Sequence, residues 1–117
     1  MTGELVLSVL QRSGGARGAI AGFAVTDQRI IAVGGTSSRA PLLVVSADAR
    51  QFEPRPTPCG LGLRGALAVG DSLWVCGEYG QLAVSRDHGA HWQMVEAATE
   101  GCLSALALGG DGAVWVV

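Results

Sequence analysis

Asp87, His88 and His91 are the residues whose types and spacing most directly suggest chemistry, because a carboxylate and two imidazoles share one short segment. Such side chains can hold a zinc ion, and Cys76 could complete the set of ligands. We expect Cys76 in a strand and the histidines in a turn, on different faces. The structural alternative is that Asp87 accepts hydrogen bonds from turn N–H groups. We therefore predict no metal site and no bound cofactor.

Carboxylates are the other candidates for chemistry. Hydrolysis of a glycoside needs two facing carboxyl groups at a set separation. The chain has 10 aspartate and glutamate residues, but no spacing among them singles out a pair. We therefore predict no catalytic residue and expect that the chain is not an enzyme.

The composition is that of a folded domain: of 117 residues, 49% are hydrophobic and 15% are charged, which excludes a disordered tail. A net charge of −2 without a basic stripe argues against nucleic-acid binding. No apolar run is long enough to span a bilayer. The apolar run 5–10 is too short for a secretory signal. The three sparse cysteines indicate reduced thiols. We therefore expect a cytoplasmic protein.

Short apolar runs separated by glycine and aspartate predict β-strands rather than helices. Three segments share a small apolar strand, a turn with an aspartate and a bulkier apolar strand. The turn aspartates of the three segments are Asp27, Asp71 and Asp111. The second strand carries Trp74 in the second segment and Trp115 in the third. A repeat of about forty residues with about four short strands is typical of β-propeller blades. We predict an all-β fold.

The later half of the second copy contains Ser85, Asp87, Gly89 and Trp92. With these residues the segment resembles the Asp-box, or bacterial neuraminidase repeat, whose pattern is Ser-x-Asp-x-Gly-x-x-Trp. Residues 77–85 are also similar to blades of photosystem II assembly propellers and of uncharacterised bacterial propellers. The resemblance implies a structural box on the hairpin between the third and fourth strands of a blade. It implies a positive φ at Gly89 and a Trp92 ring buried between blades.

A degenerate copy of the same box precedes it in the chain. Ser46 and Asp48 correspond to Ser85 and Asp87, and Phe52 stands where the box has tryptophan. The first copy is one residue shorter than the second. We expect both copies to form the same kind of turn.

The repeat organises residues 1–117 as one partial β-propeller. It comprises a strand over 5–10, a blade over 18–54, a blade over 64–96 and half a blade over 103–117. About two and a half four-stranded antiparallel blades make an incomplete propeller, since a closed ring needs about four. Two explanations stay open: the chain is a fragment of a longer propeller, or copies associate through exposed strand edges.

A propeller fold does not by itself define a function. We favour a non-catalytic interaction or scaffold module that binds a protein or a glycan through the loops after the second and fourth strands. Candidate recognition residues are Arg39, Arg55, Glu78 and Tyr79, since arginine and tyrosine anchor interfaces. The alternative is a fragment of a sialidase-like glycan hydrolase. The sialidase resemblance implies a tyrosine–glutamate pair from distant blades, whereas Glu78 and Tyr79 are adjacent in one loop.

Overall fold

A computed structural model of the chain describes residues 20–26, 29–35, 42–56 and 60–117. The strand expected over 5–10, Arg39, Asp27 and Cys59 lie outside these residues. The described part forms ten strands and one 3₁₀ turn: β1 (Ile20–Val25), β2 (Ile30–Gly34), β3 (Leu42–Ser46), β4 (Glu53–Pro54), β5 (Leu63–Val69), β6 (Ser72–Gly77), the turn (Glu78–Gly80), β7 (Leu82–Ser85), β8 (Gln93–Met94), β9 (Leu106–Leu108) and β10 (Val114–Val116).

The strands form three antiparallel sheets in which neighbours in the chain are neighbours in space. Sheet A has the order β1-β2-β3-β4, sheet B has the order β5-β6-β7-β8, and sheet C pairs β9 with β10. The prediction of an all-β fold with four-stranded antiparallel sheets is confirmed. Within the described ranges no sheet closes on itself.

Sheets A and B bury apolar side chains on both faces because their strands are rich in β-branched and aromatic residues. Ile31 and Val33 of β2 pack with Leu73 and Val75 of β6 in a core cluster between sheets A and B. A second cluster joins sheets B and C around the buried side chain of Cys76. Sheet B is therefore covered on both faces, and its neighbours fix the positions of its loops.

The first strands of the sheets pack backbone to backbone. A Cβ atom at Gly22 of β1 would lie 2.9 Å from the Arg64 carbonyl oxygen of β5. A Cβ atom at Gly65 would lie 3.2 Å from the Cα atom of Ala105, just before β9. Glycine allows this close approach because it has no side chain.

The same bulge recurs at this close approach in each sheet. The pairing register shifts between Ile20 and Gly22 in sheet A and between Leu63 and Gly65 in sheet B. In sheet C, the N–H groups of Ser104 and Ala105 both donate to the Val117 carbonyl oxygen. A bulge places an extra residue on one strand and bends it. The three sheets thus share one register, which allows residues to be compared between them.

Candidate functional site

The turn between β7 and β8 is held together by Ser85 and Asp87. The Ser85 hydroxyl donates to Asp87 Oδ1 at 2.8 Å and accepts the Gly89 N–H at 2.8 Å. Asp87 Oδ1 also accepts the His91 N–H at 2.9 Å. This is the turn-stabilising arrangement expected of an aspartate whose carboxylate replaces backbone acceptors.

Two consecutive residues of this turn adopt the left-handed region. Gly89 has a φ of 92°, a conformation that glycine adopts without steric cost. His88 has a φ of 60°, which the sequence did not indicate. A non-glycine residue is uncommon there, so the hydrogen bonds of Ser85 and Asp87 must offset the strain.

His91 contacts the same carboxylate with its side chain. Its Nδ1 lies 2.6 Å from Asp87 Oδ2, and both side chains are exposed to solvent. The His91 N–H and imidazole, with the Ser85 hydroxyl, lower the pKa of Asp87 from 3.8 to about 2. Both carboxylate oxygens are thus engaged inside the turn. In the described part of the chain, no three His, Cys, Asp or Glu side chains gather as a metal-ligand set.

The corresponding turn of sheet A repeats this geometry with one residue fewer. The Ser46 hydroxyl donates to Asp48 Oδ1 at 3.2 Å and accepts the Ala49 N–H at 2.8 Å. Asp48 Oδ1 accepts the N–H groups of Gln51 and Arg50, which lower the pKa of Asp48. Ala49 has a φ of 62°, close to that of His88 in the longer copy.

The aromatic residues after the two turns lie on the same face of their sheets, and within the described residues only the face of sheet B is covered by another sheet. Phe52 is buried in a cluster on the face of sheet A that points away from sheet B. Trp92 is half-buried against the cluster between sheets A and B, and its Nε1 is buried without a hydrogen-bond partner in the described part of the chain. The Trp92 ring therefore packs between sheets A and B.

A cleft lies between the end of sheet A and the box turn of sheet B. It has a volume of about 390 Å³ and is lined by Arg29, Arg55, Pro56, His88, Gly89 and Ala90. The sequence indicated neither the cleft nor Arg29. They come from the packing of the two sheets rather than from a local motif.

Arg55 directly follows β4, the fourth strand of sheet A. Its N–H donates to the Leu43 carbonyl oxygen at 2.8 Å. This bond continues the pairing of β4 with β3. The exposed guanidinium of Arg55 forms an ion pair with Glu53 at 3.3 Å and faces the cleft. Arg55 thus belongs to the cleft beside the box turn.

Glu78 and Tyr79 lie in the 3₁₀ turn that joins β6 to β7. The Glu78 carboxylate lies 2.7 Å from Arg64 Nη2, and Arg64 Nη1 donates to the Gly35 carbonyl oxygen at 2.9 Å. Gln81 closes the turn, because its side-chain amide donates to the Glu78 carbonyl oxygen at 2.9 Å. Glu78 and Arg64 together therefore link the turn after β6 of sheet B to Gly35, which follows β2 of sheet A.

Tyr79 is held at the tip of this turn with its ring in solvent. Its φ is 55° and the residue is 67% exposed. An aromatic residue in the left-handed region is an outlier whose conformation must be imposed by its neighbours. Here the Gln81 N–H donates to the Glu78 carbonyl oxygen at 3.2 Å across the turn, and the ion pair with Arg64 holds Glu78, the residue before Tyr79.

The structure thus divides the four candidate residues. Glu78 and Tyr79 share one rigid turn, Arg55 lies in the cleft beside the box, and Arg39 is outside the described residues. Arg64 was missed, because it gains its role only when the bulge in β5 brings it beside Glu78. The only signal in the sequence was an arginine within a strand that is otherwise apolar.

The chain matches no family model, no curated protein and no solved structure. Among the residues that the structure describes, no helix is long and apolar enough to cross a membrane.

Proposed function

We propose that the chain is an arc of an Asp-box β-propeller that serves as a non-catalytic interaction module. Three features of the sheets support the propeller architecture. Sheets A and B each follow their chain order from first to fourth strand, the first strands pack in a row, and the bulge repeats in each sheet. Propellers present recognition surfaces on their loops, and the turn 78–81 is such a loop here.

Tyr79 is the single observation that carries the interaction proposal. Holding a tyrosine in the left-handed region costs about 1 kcal/mol or more, and this ring buries little surface in return. Strained residues cluster at functional sites. Tyrosine is an effective anchor because it offers a large, rigid, amphipathic surface to a protein or a sugar ring.

The alternative of a sialidase-like hydrolase would need Glu78 as an active carboxylate. In the structure the Glu78 side chain is largely buried and paired with Arg64 at 2.7 Å. A carboxylate paired in this way positions a loop. To act as a proton donor or a nucleophile, Glu78 would first have to leave its ion pair with Arg64. This contact favours recognition over hydrolysis.

Tyr79→Gly separates the binding role from a structural one. Glycine accepts a positive φ, so this variant should unfold at the same denaturant concentration as the wild type or at a slightly higher one. Loss of an anchor of about 2 kcal/mol should weaken binding about thirtyfold. The control is Met94→Gly, which changes an exposed apolar residue of β8 away from the Tyr79 turn. This variant should bind normally.

The probes are a glycan array and a peptide-display library, screened in parallel with the same fluorescently labelled chain. A hit that is lost in Tyr79→Gly and kept in the Met94 control supports the proposal. Hits that bind both variants as strongly as the wild type contradict the proposal. Turnover of a fluorogenic sialoside that Glu78→Gln abolishes would establish the hydrolase alternative instead.

A further inference from the structure

The sheets have two distinct faces that can be followed through the common register. We call the face of each sheet that points toward the next sheet in the chain its front, and the opposite face its rear. The front of sheet A carries Ala24, Ile31 and Val33, which are buried against the rear of sheet B. The front of sheet B carries Trp74 and Cys76, which pack with residues of sheet C.

The front of sheet C repeats these positions residue by residue. Val117 exchanges backbone hydrogen bonds with Ala105, as Cys76 pairs with Gly65 in sheet B. Trp115 pairs with Ala107 and therefore corresponds to Trp74. The front of sheet C thus presents the same kinds of side chains that sheets A and B use to bind their successors.

None of the residues that the structure describes covers this third front. Trp115 is 62% exposed and Val117 is 73% exposed, and Ala107, which pairs with Trp115, is exposed as well. Their counterparts Trp74 and Cys76 are covered by the residues of sheet C. A tryptophan and its apolar neighbours on an open sheet face are typical of an interaction surface rather than of a solvated one.

Among the described residues, the rear of sheet A is also left partly uncovered, at β1. Phe23 and Val25 of β1 are 41% and 43% exposed. They correspond to Ala66 and Ala68 of β5, which pack against the cluster between sheets A and B. Phe52, farther along the same rear face, is buried, so the open part of that face is β1.

We propose that a second copy of the chain docks head to tail, with the rear of its β1 on the front of sheet C. Phe23 and Val25 of one copy would take the places that Ala66 and Ala68 hold on sheet A, against Trp115 of the other. The row of first strands β1, β5 and β9 would then continue into β1 of the next copy. Such an interface joins two different surfaces, so it closes into a ring or extends as a filament.

Sedimentation velocity of the purified 117-residue chain over a wide concentration range tests the proposal. The wild type should associate, and its tryptophan emission should shift to shorter wavelength as Trp115 leaves water. Trp115→Glu and Phe23→Glu should each weaken association at least tenfold. Met94→Glu places the same charge on the outer strand of sheet B and should associate like the wild type. Far-UV circular dichroism confirms that each variant is folded.

Mixing the two interface variants distinguishes this geometry from other self-association. Trp115→Glu keeps an intact rear and Phe23→Glu keeps an intact front, so an equimolar mixture should form a dimer that neither variant forms alone. A wild type that stays monomeric at every concentration overturns the proposal. So does a Phe23→Glu variant that associates normally, because sheet C would then pair with a second sheet C.

Discussion

Ser85→Ala removes the hydroxyl that joins Asp87 to Gly89 in the box turn. The Gly89 N–H is buried and donates to Ser85 Oγ at 2.8 Å, so the variant leaves a buried donor without an acceptor. Such a group costs about 1–3 kcal/mol, and we expect the free energy of unfolding to fall by about 2 kcal/mol. For a chain of this size that corresponds to a decrease in Tm of roughly 8 °C.

The matched variant is Ser46→Ala in the shorter copy of the turn. Its hydroxyl is 3.2 Å from Asp48 rather than 2.8 Å, and it accepts the N–H of Ala49, which is only partly buried. We expect a loss of about 1 kcal/mol. Ser104→Ala changes an exposed serine and should be neutral.

Urea unfolding followed by far-UV circular dichroism gives all three free energies, provided that the variants share one m-value. The order of cost should be Ser85, then Ser46, then Ser104. A Ser85→Ala variant that loses less than about 0.5 kcal/mol, or no more than Ser46→Ala, would refute the reasoning that the buried Gly89 donor depends on this hydroxyl.

The depressed pKa of Asp87 predicts an acid-sensitive contribution to stability. It is fully present above the ordinary value of 3.8 and is lost as the pH falls toward about 2, so acid titration of Asp87→Asn should show a smaller loss across that window, with a steeper loss contradicting the assignment. Gly80→Ala should lower Tm by several degrees, because Gly80 has a φ of 71° and a Cβ atom there would clash with the Thr99 carbonyl oxygen. Gly110→Ala has open space and should leave Tm unchanged in differential scanning calorimetry, so equal effects of the two variants would contradict this explanation.

Local features of the fold were predictable because their causes lie within a few residues. The alternation of short apolar runs with glycine and aspartate predicted strands, and the structure is all-β. The roles of Asp87 as an acceptor and of Gly89 at positive φ follow from turn chemistry within one segment. The positive φ of His88 was not predicted, since its cause is the pair of bonds made by its neighbours rather than its own type.

The loop that carries Tyr79 could not be built from the sequence. Glu78 is fixed by Arg64, and Arg64 in turn donates to Gly35 on another sheet. That contact depends on the bulge in β5 and on the close approach of β1 to β5, which are properties of packing. Adjacent Glu78 and Tyr79 suggested a shared surface role, whereas the structure gives one a structural contact and leaves the other exposed.

The box and the Tyr79 turn lie at opposite ends of the same strand, β7. The strand leaves the turn at Leu82 and enters the box at Ser85. The strained backbone of Tyr79 persists only if the following strand, β7, is held in place. The hydrogen bonds of Ser85 hold the end of β7 that lies farther from Tyr79. The box of sheet A keeps its geometry with one residue fewer and with a different aromatic residue, so the anchor tolerates variation as long as its serine and aspartate remain. The residues of the Tyr79 turn can therefore change without loss of the fold that supports them.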